Sequence, residues 1–145
     1  MIAVIQRVRR SSVTVNGEKV ASISRGVNVL VGVCKGDTPD KAKALAKRIA
    51  NLRIFEDERG KMNLSLRDVG GEVLVVSQFT LCADLTKGRR PSFTNAEKPE
   101  LAKKVIAELV NALEDEGLDV HTGVFGAHMI VEIVNDGPAT FILSE

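Results

Sequence analysis

Apolar, β-branched runs alternate with polar positions along the first third of the chain, and this alternation predicts strands. Residues 1–15 interleave valine and isoleucine with Gln6 and three arginines, which indicates an extended segment with one charged face. Asn16-Gly17 is the typical sequence of a type I′ turn, because both of its central residues need positive φ. We therefore expect a hairpin that returns through residues 20–24, followed by a buried strand over residues 27–33.

Two segments have the periodicity of amphipathic helices. Thr38-Pro39 starts the first, with a hydroxyl at the N-cap and proline at the first helical position; its apolar face is Ala42, Leu45, Ala46, Ile49 and Leu52. The second runs from about residue 97 to 116 and ends at Gly117; its predicted buried stripe is Leu101, Val105, Leu109, Ala112 and Leu113. Residues 62–69 fit neither period and are expected to be mostly loop.

The remaining apolar runs predict further strands. One covers residues 72–76 after Gly70-Gly71, and others cover 119–125, 127–134 and 139–143, with Asn135-Asp136-Gly137-Pro138 as the turn between the last two. This order predicts one α/β domain, residues 1–145, with a mixed sheet, layered or curled into a barrel, covered by two main helices.

Composition excludes several classes of protein. The net charge of +1 is too small for the basic field of a non-specific nucleic-acid binder, and the absence of Trp and Tyr argues against extensive base stacking. No apolar run reaches the roughly 18 residues that span a bilayer, so no membrane partner is expected. Cys34 and Cys82 lie in or beside apolar strand sequence with no secretory signal before them, which predicts reduced thiols in a cytoplasmic protein.

Polar and aromatic residues follow the predicted strand 72–76 where it opens into the loop 83–98. This stretch, Ser77-Gln78-Phe79-Thr80-Leu81, stands where folds often place chemistry, although such a sequence alone is more often ordinary packing. The loop then carries Lys87-Gly88-Arg89-Arg90, where a phosphate could be bound. Glu56-Asp57-Glu58 invites a metal hypothesis, but adjacent carboxylates on an exposed turn are usually solvated, so neither a metal nor a cofactor is expected.

Two of these stretches together resemble the signatures of the D-aminoacyl-tRNA deacylases, also called D-tyrosyl-tRNA deacylases. They are Ser77-Gln78-Phe79-Thr80-Leu81 and Asn135-Asp136-Gly137-Pro138-Ala139-Thr140, and the resemblance extends from residues 1–8 to residues 124–129. It implies a homodimer that hydrolyses the ester between a D-amino acid and the terminal adenosine of tRNA. The expected partners are thus the 3′ end of aminoacyl-tRNA and a second copy of the chain.

The resemblance also implies roles for individual residues. The first motif, Ser77, Gln78, Phe79 and Thr80, is expected to form the wall of the site. Gly137-Pro138, in a cis peptide, is expected to reach into the partner's site and to select the configuration of the amino acid there. Adenine is expected near Phe125, Gly126 and Met129, with Phe79 packing or supporting the adenosine pocket. Arg7 is expected to brace the partner's Gly137-Pro138. From charge and position alone, Lys87, Arg89 and Arg90 are candidates for the acceptor-stem phosphates.

Ester hydrolysis needs a nucleophile, its activation and donors for the oxyanion. Thr80 is the one plausible covalent nucleophile of the motif, but a hydroxyl requires an adjacent base, and the two histidines, His121 and His128, are predicted on the C-terminal strands. We therefore expect direct attack by water, with backbone N–H groups near residues 78–80 and the ribose 2′-hydroxyl assisting. A nucleophilic Thr80 is the alternative.

Selection by a rigid main-chain wall excludes an L side chain by sterics. Glycine has no side chain to exclude, so hydrolysis of glycyl-tRNA is also expected. Two other classes stay open on the sequence: an RNA-binding adaptor without turnover, and a dimeric structural domain without a substrate.

Overall fold

A computed structural model describes all residues from 1 to 145 and contains eight strands and three α-helices. The strands are β1 (Ile2–Val15), β2 (Glu18–Ile23), β3 (Gly26–Gly32), β4 (Phe55–Glu56), β5 (Met62–Leu64), β6 (Glu72–Ser77), β7 (Asp119–Thr122) and β8 (Ile130–Ser144). The helices are α1 (Pro39–Asn51), α2 (Leu66–Val69) and α3 (Pro99–Asp115), and a 3₁₀ helix covers Phe79–Cys82.

The long strand β1 organises a mixed, nearly closed sheet. β8 pairs antiparallel along one edge of β1, whereas β3 and β2 share the other edge. β6 continues from β3 in parallel, and β7 continues from β6 in parallel. The predicted α/β domain with a mixed, barrel-like sheet is confirmed, and so is the hairpin at Asn16-Gly17.

The two long helices pack on the sheet through their apolar faces. α1 begins as predicted, with the Thr38 hydroxyl accepting a hydrogen bond from Lys41 N at 3.4 Å. In α3 the buried stripe is Ala102, Val105, Leu109 and Leu113. The prediction for Leu101 is wrong, because it lies one position to the side of this stripe and its side chain is 50% exposed.

One segment differs from the sequence prediction because its two elements are too short to show a readable period. Residues 62–69 are not mostly loop: they contain β5 and the single turn of α2. α2 is stabilised by a capping box, in which Ser65 and Asp68 exchange side chain-to-backbone hydrogen bonds.

The C-terminal segment is one strand, and the predicted turn within it is wrong. Thr140 pairs with Gln6 and Asn135 pairs with Val8, so four residues of β8 lie opposite Arg7 alone. The pairing with β1 resumes in the same direction on both sides, so the turn-forming residues make a bulge rather than a hairpin. Gly137-Pro138, called the corner below, is exposed in this bulge and has a cis peptide bond, as expected.

Cys34 and Cys82 form a disulfide, which overturns the prediction that both are reduced. Cys34 follows β3, and Cys82 ends the 3₁₀ helix that follows β6. Because β3 and β6 are parallel neighbours, their ends bring the two Cα atoms to 5.6 Å. Separately, none of the helices combines the length and apolar character that a bilayer crossing requires.

Candidate active site

A cavity of about 600 Å³ lies where β3 and β6 end. Most of its lining comes from the end of β6, the loop before α3, the start of α3 and the segment between β7 and β8, and Val33 after β3 and Val131 of β8 complete it. The predicted residues that it brings together are Ser77, Gln78, Phe79, Phe125, Gly126 and Met129. The strand-end motif and the segment 124–129 thus meet in one site although some 50 residues separate them.

The end of β6 is held tightly against β3. Gln78 N donates a hydrogen bond to Val31 O at 2.8 Å, which continues the strand pairing to the last residue before the 3₁₀ helix. Gly32 allows this close approach: a β-carbon at position 32 would lie 2.9 Å from Gln78 O and 3.2 Å from Cys82 Sγ. The backbone that carries the motif is therefore fixed by main-chain contacts, as a steric wall requires.

The 3₁₀ helix supplies candidate donors for an oxyanion. Its first hydrogen bond runs from Leu81 N to Gln78 O at 3.2 Å, so the N–H groups of Phe79 and Thr80 precede the first bonded turn. N–H groups at a helix start have no carbonyl partner within the helix and are available to an anionic oxygen.

Thr80 has an amide partner and no base. Gln78 Nε2 donates to Thr80 Oγ1 at 2.5 Å, and this is the only side-chain hydrogen bond of that hydroxyl. Thr80 itself is exposed and is not among the residues that line the cavity. A carboxamide cannot remove a proton, so the geometry does not favour a threonine nucleophile.

Several lining residues were missed by the sequence analysis. Phe93 packs edge-on against Phe79, with ring centroids 5.2 Å apart and an interplanar angle of 67°. Both rings are partly exposed, 43% for Phe93 and 54% for Phe79, so together they present an aromatic surface suited to a base. His128 also lines the cavity, from the turn before β8 rather than from a strand. The only sequence signal for Phe93 was an aromatic residue in the predicted loop 83–98, and His128 was wrongly predicted to lie on a strand.

The corner is anchored by Arg7 of the same chain. The buried Arg7 side chain donates from Nε to Asp136 O at 3.0 Å and from Nη1 to Ile54 O at 2.7 Å, and Nε lies 3.4 Å from Asp136 Oδ2. Gly137 and Pro138 do not line the cavity of their own chain. The bracing of a partner's corner by Arg7 stays a prediction.

The basic residues lie on a separate loop beside the cavity. Asp84 and Ser92 exchange two backbone hydrogen bonds of 2.8 and 3.0 Å, which close a loop whose exposed tip carries Lys87, Arg89 and Arg90. The Thr86 hydroxyl and N–H donate to Asp84 Oδ1 and lower the pKa of this carboxyl below its ordinary value of 3.8. The loop tip is thus an ordered cationic surface.

Comparison with known proteins places the chain in one family. Residues 4–144 match the family described as D-Tyr-tRNA(Tyr) deacylase. The chain is 59% identical over 143 residues to the D-aminoacyl-tRNA deacylase of Persephonella marina, covering 99% of this chain and 97% of that protein. It is 56% identical to the protein of the same name from Clostridium perfringens, covering 99% and 96%.

Two solved structures have the same fold as this chain. The chain superposes with a TM-score of 0.93 and 42% identity on a structure titled c-Myc DNA Unwinding Element Binding Protein, covering 100% of this chain and 99% of that one. A probable eukaryotic D-amino acid tRNA deacylase shares the fold at a TM-score of 0.83 and 17% identity, covering 98% and 97%. The chain belongs to the D-Tyr-tRNA(Tyr) deacylase family.

Proposed function

We propose that this chain hydrolyses the ester bond of D-aminoacyl-tRNA and releases free D-amino acid and tRNA. Family membership supports this reaction. The structural observation that supports it most is the main-chain wall at the end of β6, where Gln78 N donates to Val31 O. Such an enzyme proofreads chirality in translation. Its substrate is made and used in the cytoplasm, so a cytoplasmic location is part of the proposal.

The proposed mechanism is attack by water on the ester carbonyl. The N–H group of Phe79, which lines the cavity, and that of the adjacent Thr80 are the oxyanion donors, since both stand at the start of the 3₁₀ helix without a partner inside it. The C–O bond to the ribose then breaks, and the ribose oxygen receives the proton that water loses, with the neighbouring 2′-hydroxyl assisting. Thr80 has a positional role, since its hydroxyl is bonded to the Gln78 amide.

Chirality is selected by exclusion. Backbone atoms near Gly32 and Gln78 are packed too closely to move aside for a side chain of L configuration. A D side chain points away from this wall, and glycine has none. The proposal therefore includes D-aminoacyl-tRNA of many types and glycyl-tRNA as substrates.

The proposed active form is a homodimer in which each corner completes the partner's cavity. The exposed corner does not line its own cavity, and Arg7 and Asp136 hold it in place. The Phe79–Phe93 surface is proposed to take the terminal adenine, with Phe125, Gly126 and Met129 beside it. Lys87, Arg89 and Arg90 are proposed to bind acceptor-stem phosphates.

The test compares three substrates side by side. Purified protein is incubated with D-tyrosyl-tRNA, L-tyrosyl-tRNA and glycyl-tRNA, and release of the amino acid is followed against spontaneous hydrolysis in buffer. We expect D-tyrosine to be released at least about 100-fold faster than L-tyrosine, which corresponds to roughly 2.7 kcal/mol of discrimination. Glycyl-tRNA is expected to be cleaved at high enzyme concentration.

The outcomes separate the competing functions. Equal rates for the D and L esters contradict chiral selection. Binding of aminoacyl-tRNA without turnover supports an RNA-binding adaptor instead, and the absence of salt-sensitive RNA binding supports a structural domain.

A further inference from the structure

Three metal-ligating side chains meet at the end of the sheet opposite the candidate active site. Glu72 begins β6 and is paired with Asp119, which begins β7. His121 follows Asp119 by two residues, and side chains two apart in a strand share one face of the sheet. Sheet pairing therefore places two carboxylates and one imidazole together.

The donor atoms already have the spacing of ligands around one ion. His121 Nε2 lies 3.1 Å from Asp119 Oδ1 and 3.3 Å from Glu72 Oε2, and all three donors lie within 4.8 Å of one another. Ligands bound tetrahedrally to zinc at about 2.1 Å are about 3.4 Å apart. An ion could thus bind with little rearrangement.

His121 Nε2 is the atom that both carboxylates approach. It is shielded from solvent and lies within ion-pair distance of Asp119 and Glu72, with no well-aligned hydrogen bond to either. Glu72 is oriented from behind, because its Oε1 accepts a hydrogen bond from Ser24 N at 3.0 Å. Backbone donors that fix a carboxylate in this way are typical of the residues surrounding metal ligands.

We propose that Glu72, Asp119 and His121 bind a divalent transition-metal ion, with Zn²⁺ as the ion to test. One imidazole and two carboxylates favour zinc over Mg²⁺ or Ca²⁺, which prefer oxygen ligands alone. The partly exposed side chains leave a fourth position for water. Both cysteines are in the disulfide, so no thiol competes for the ion.

The proposed ion is structural and separate from the deacylase site. It would join β7, an outer strand of only four residues, to β6. Glu72 would also link the ion to Ser24, the residue after β2. Ser77 lies five residues further along β6, roughly 16 Å away at 3.3 Å per residue. The inference therefore does not rest on the proposed function.

The test is zinc binding by full-length, tag-free protein stripped with a chelator and dialysed. Calorimetric titration is expected to give one Zn²⁺ per chain, and Mg²⁺ is expected to give no signal. At a free zinc concentration 100 times the Kd, the Tm is expected to rise by about 5–10 °C. His121→Ala and the isosteric Asp119→Asn are each expected to weaken zinc binding at least tenfold.

Matched controls remove the same groups elsewhere. His128→Ala removes the other histidine, and Glu58→Gln removes a carboxylate from the acidic turn; both are expected to bind zinc like the parent. Asp119→Asn changes an exposed side chain and should keep the Tm of the zinc-free parent. A parent that binds no zinc, or variants at positions 119 and 121 that bind it unchanged, would overturn the proposal.

Discussion

Gln78 Nε2 donates a hydrogen bond to Thr80 Oγ1 at 2.5 Å, across the first turn of the 3₁₀ helix that begins at the candidate site. This bond occupies the hydroxyl with an amide that cannot act as a base. Of the two mechanisms that the sequence left open, it therefore favours attack by water over a nucleophilic Thr80.

Thr80→Ala removes the hydroxyl but leaves the backbone N–H groups. If Thr80 only positions its neighbours, the variant loses one hydrogen bond worth about 0.5–1.5 kcal/mol, and kcat falls about tenfold or less. Single-turnover deacylation of D-tyrosyl-tRNA measures this, with Thr86→Ala on the adjacent loop as the control. Near-complete loss, with an acyl-enzyme on the parent's Thr80 detected by mass spectrometry, would establish the nucleophile instead.

Gly32→Ala tests the wall itself. The added β-carbon would lie 2.9 Å from Gln78 O, so the segment carrying the motif has to shift. A shift of this kind displaces the groups around the ester, and we expect kcat/KM for D-tyrosyl-tRNA to fall about 100-fold.

Gly71→Ala is the matched control for that variant. Its β-carbon would lie 2.9 Å from a terminal methyl of Leu66, which can rotate away, and at ordinary contact distances of 3.4 and 3.5 Å from Gly26 Cα and Val69 Cγ2. Activity close to that of the parent is expected for Gly71→Ala. Equal activity in both variants contradicts a wall built from close backbone packing.

Much of the fold could be predicted because its local signals agree with its tertiary structure. Asn16-Gly17, Thr38-Pro39 and the apolar run of β6 each form the element that their sequence favours. The bulge at Gly137-Pro138 could not be predicted, because turn residues specify a change in backbone direction and only the pairing with β1 shows that β8 continues. The Cys34–Cys82 disulfide likewise follows from the parallel pairing of β3 and β6, which one sequence does not display.

Arg7→Ala is expected to destabilise the protein. Arg7 is buried, and its loss leaves Asp136 O and Ile54 O without their donor. Unsatisfied carbonyls and the lost packing lower the free energy of unfolding by about 2–4 kcal/mol, measured by urea denaturation. Arg9→Ala is the control, since Arg9 is exposed and reaches Asp136 only at 4.0 Å. A similar loss in both variants would show that Arg7 does not specifically anchor the corner.

The disulfide is expected to stabilise the fold. It joins Cys34 and Cys82 across 48 positions of sequence, and closing such a loop restricts the unfolded chain. We expect dithiothreitol to lower the free energy of unfolding by about 2–4 kcal/mol. The double variant Cys34→Ser/Cys82→Ser should match the reduced parent and should not respond to dithiothreitol. Identical denaturation midpoints for the oxidised parent, the reduced parent and the double variant would contradict this.

The central claim is that the corner of one chain completes the cavity of another, and complementation in a mixed dimer tests it most directly. A chain with a damaged wall, Gly32→Ala, is co-expressed with a chain with a damaged corner, Gly137→Val, and the heterodimer is purified through two different tags. If the corner acts in trans, the intact wall of the second chain meets the intact corner of the first. Deacylation of D-tyrosyl-tRNA then recovers to about half of the parent rate, since one of two sites is whole. A mixed dimer no more active than either variant alone would contradict the account.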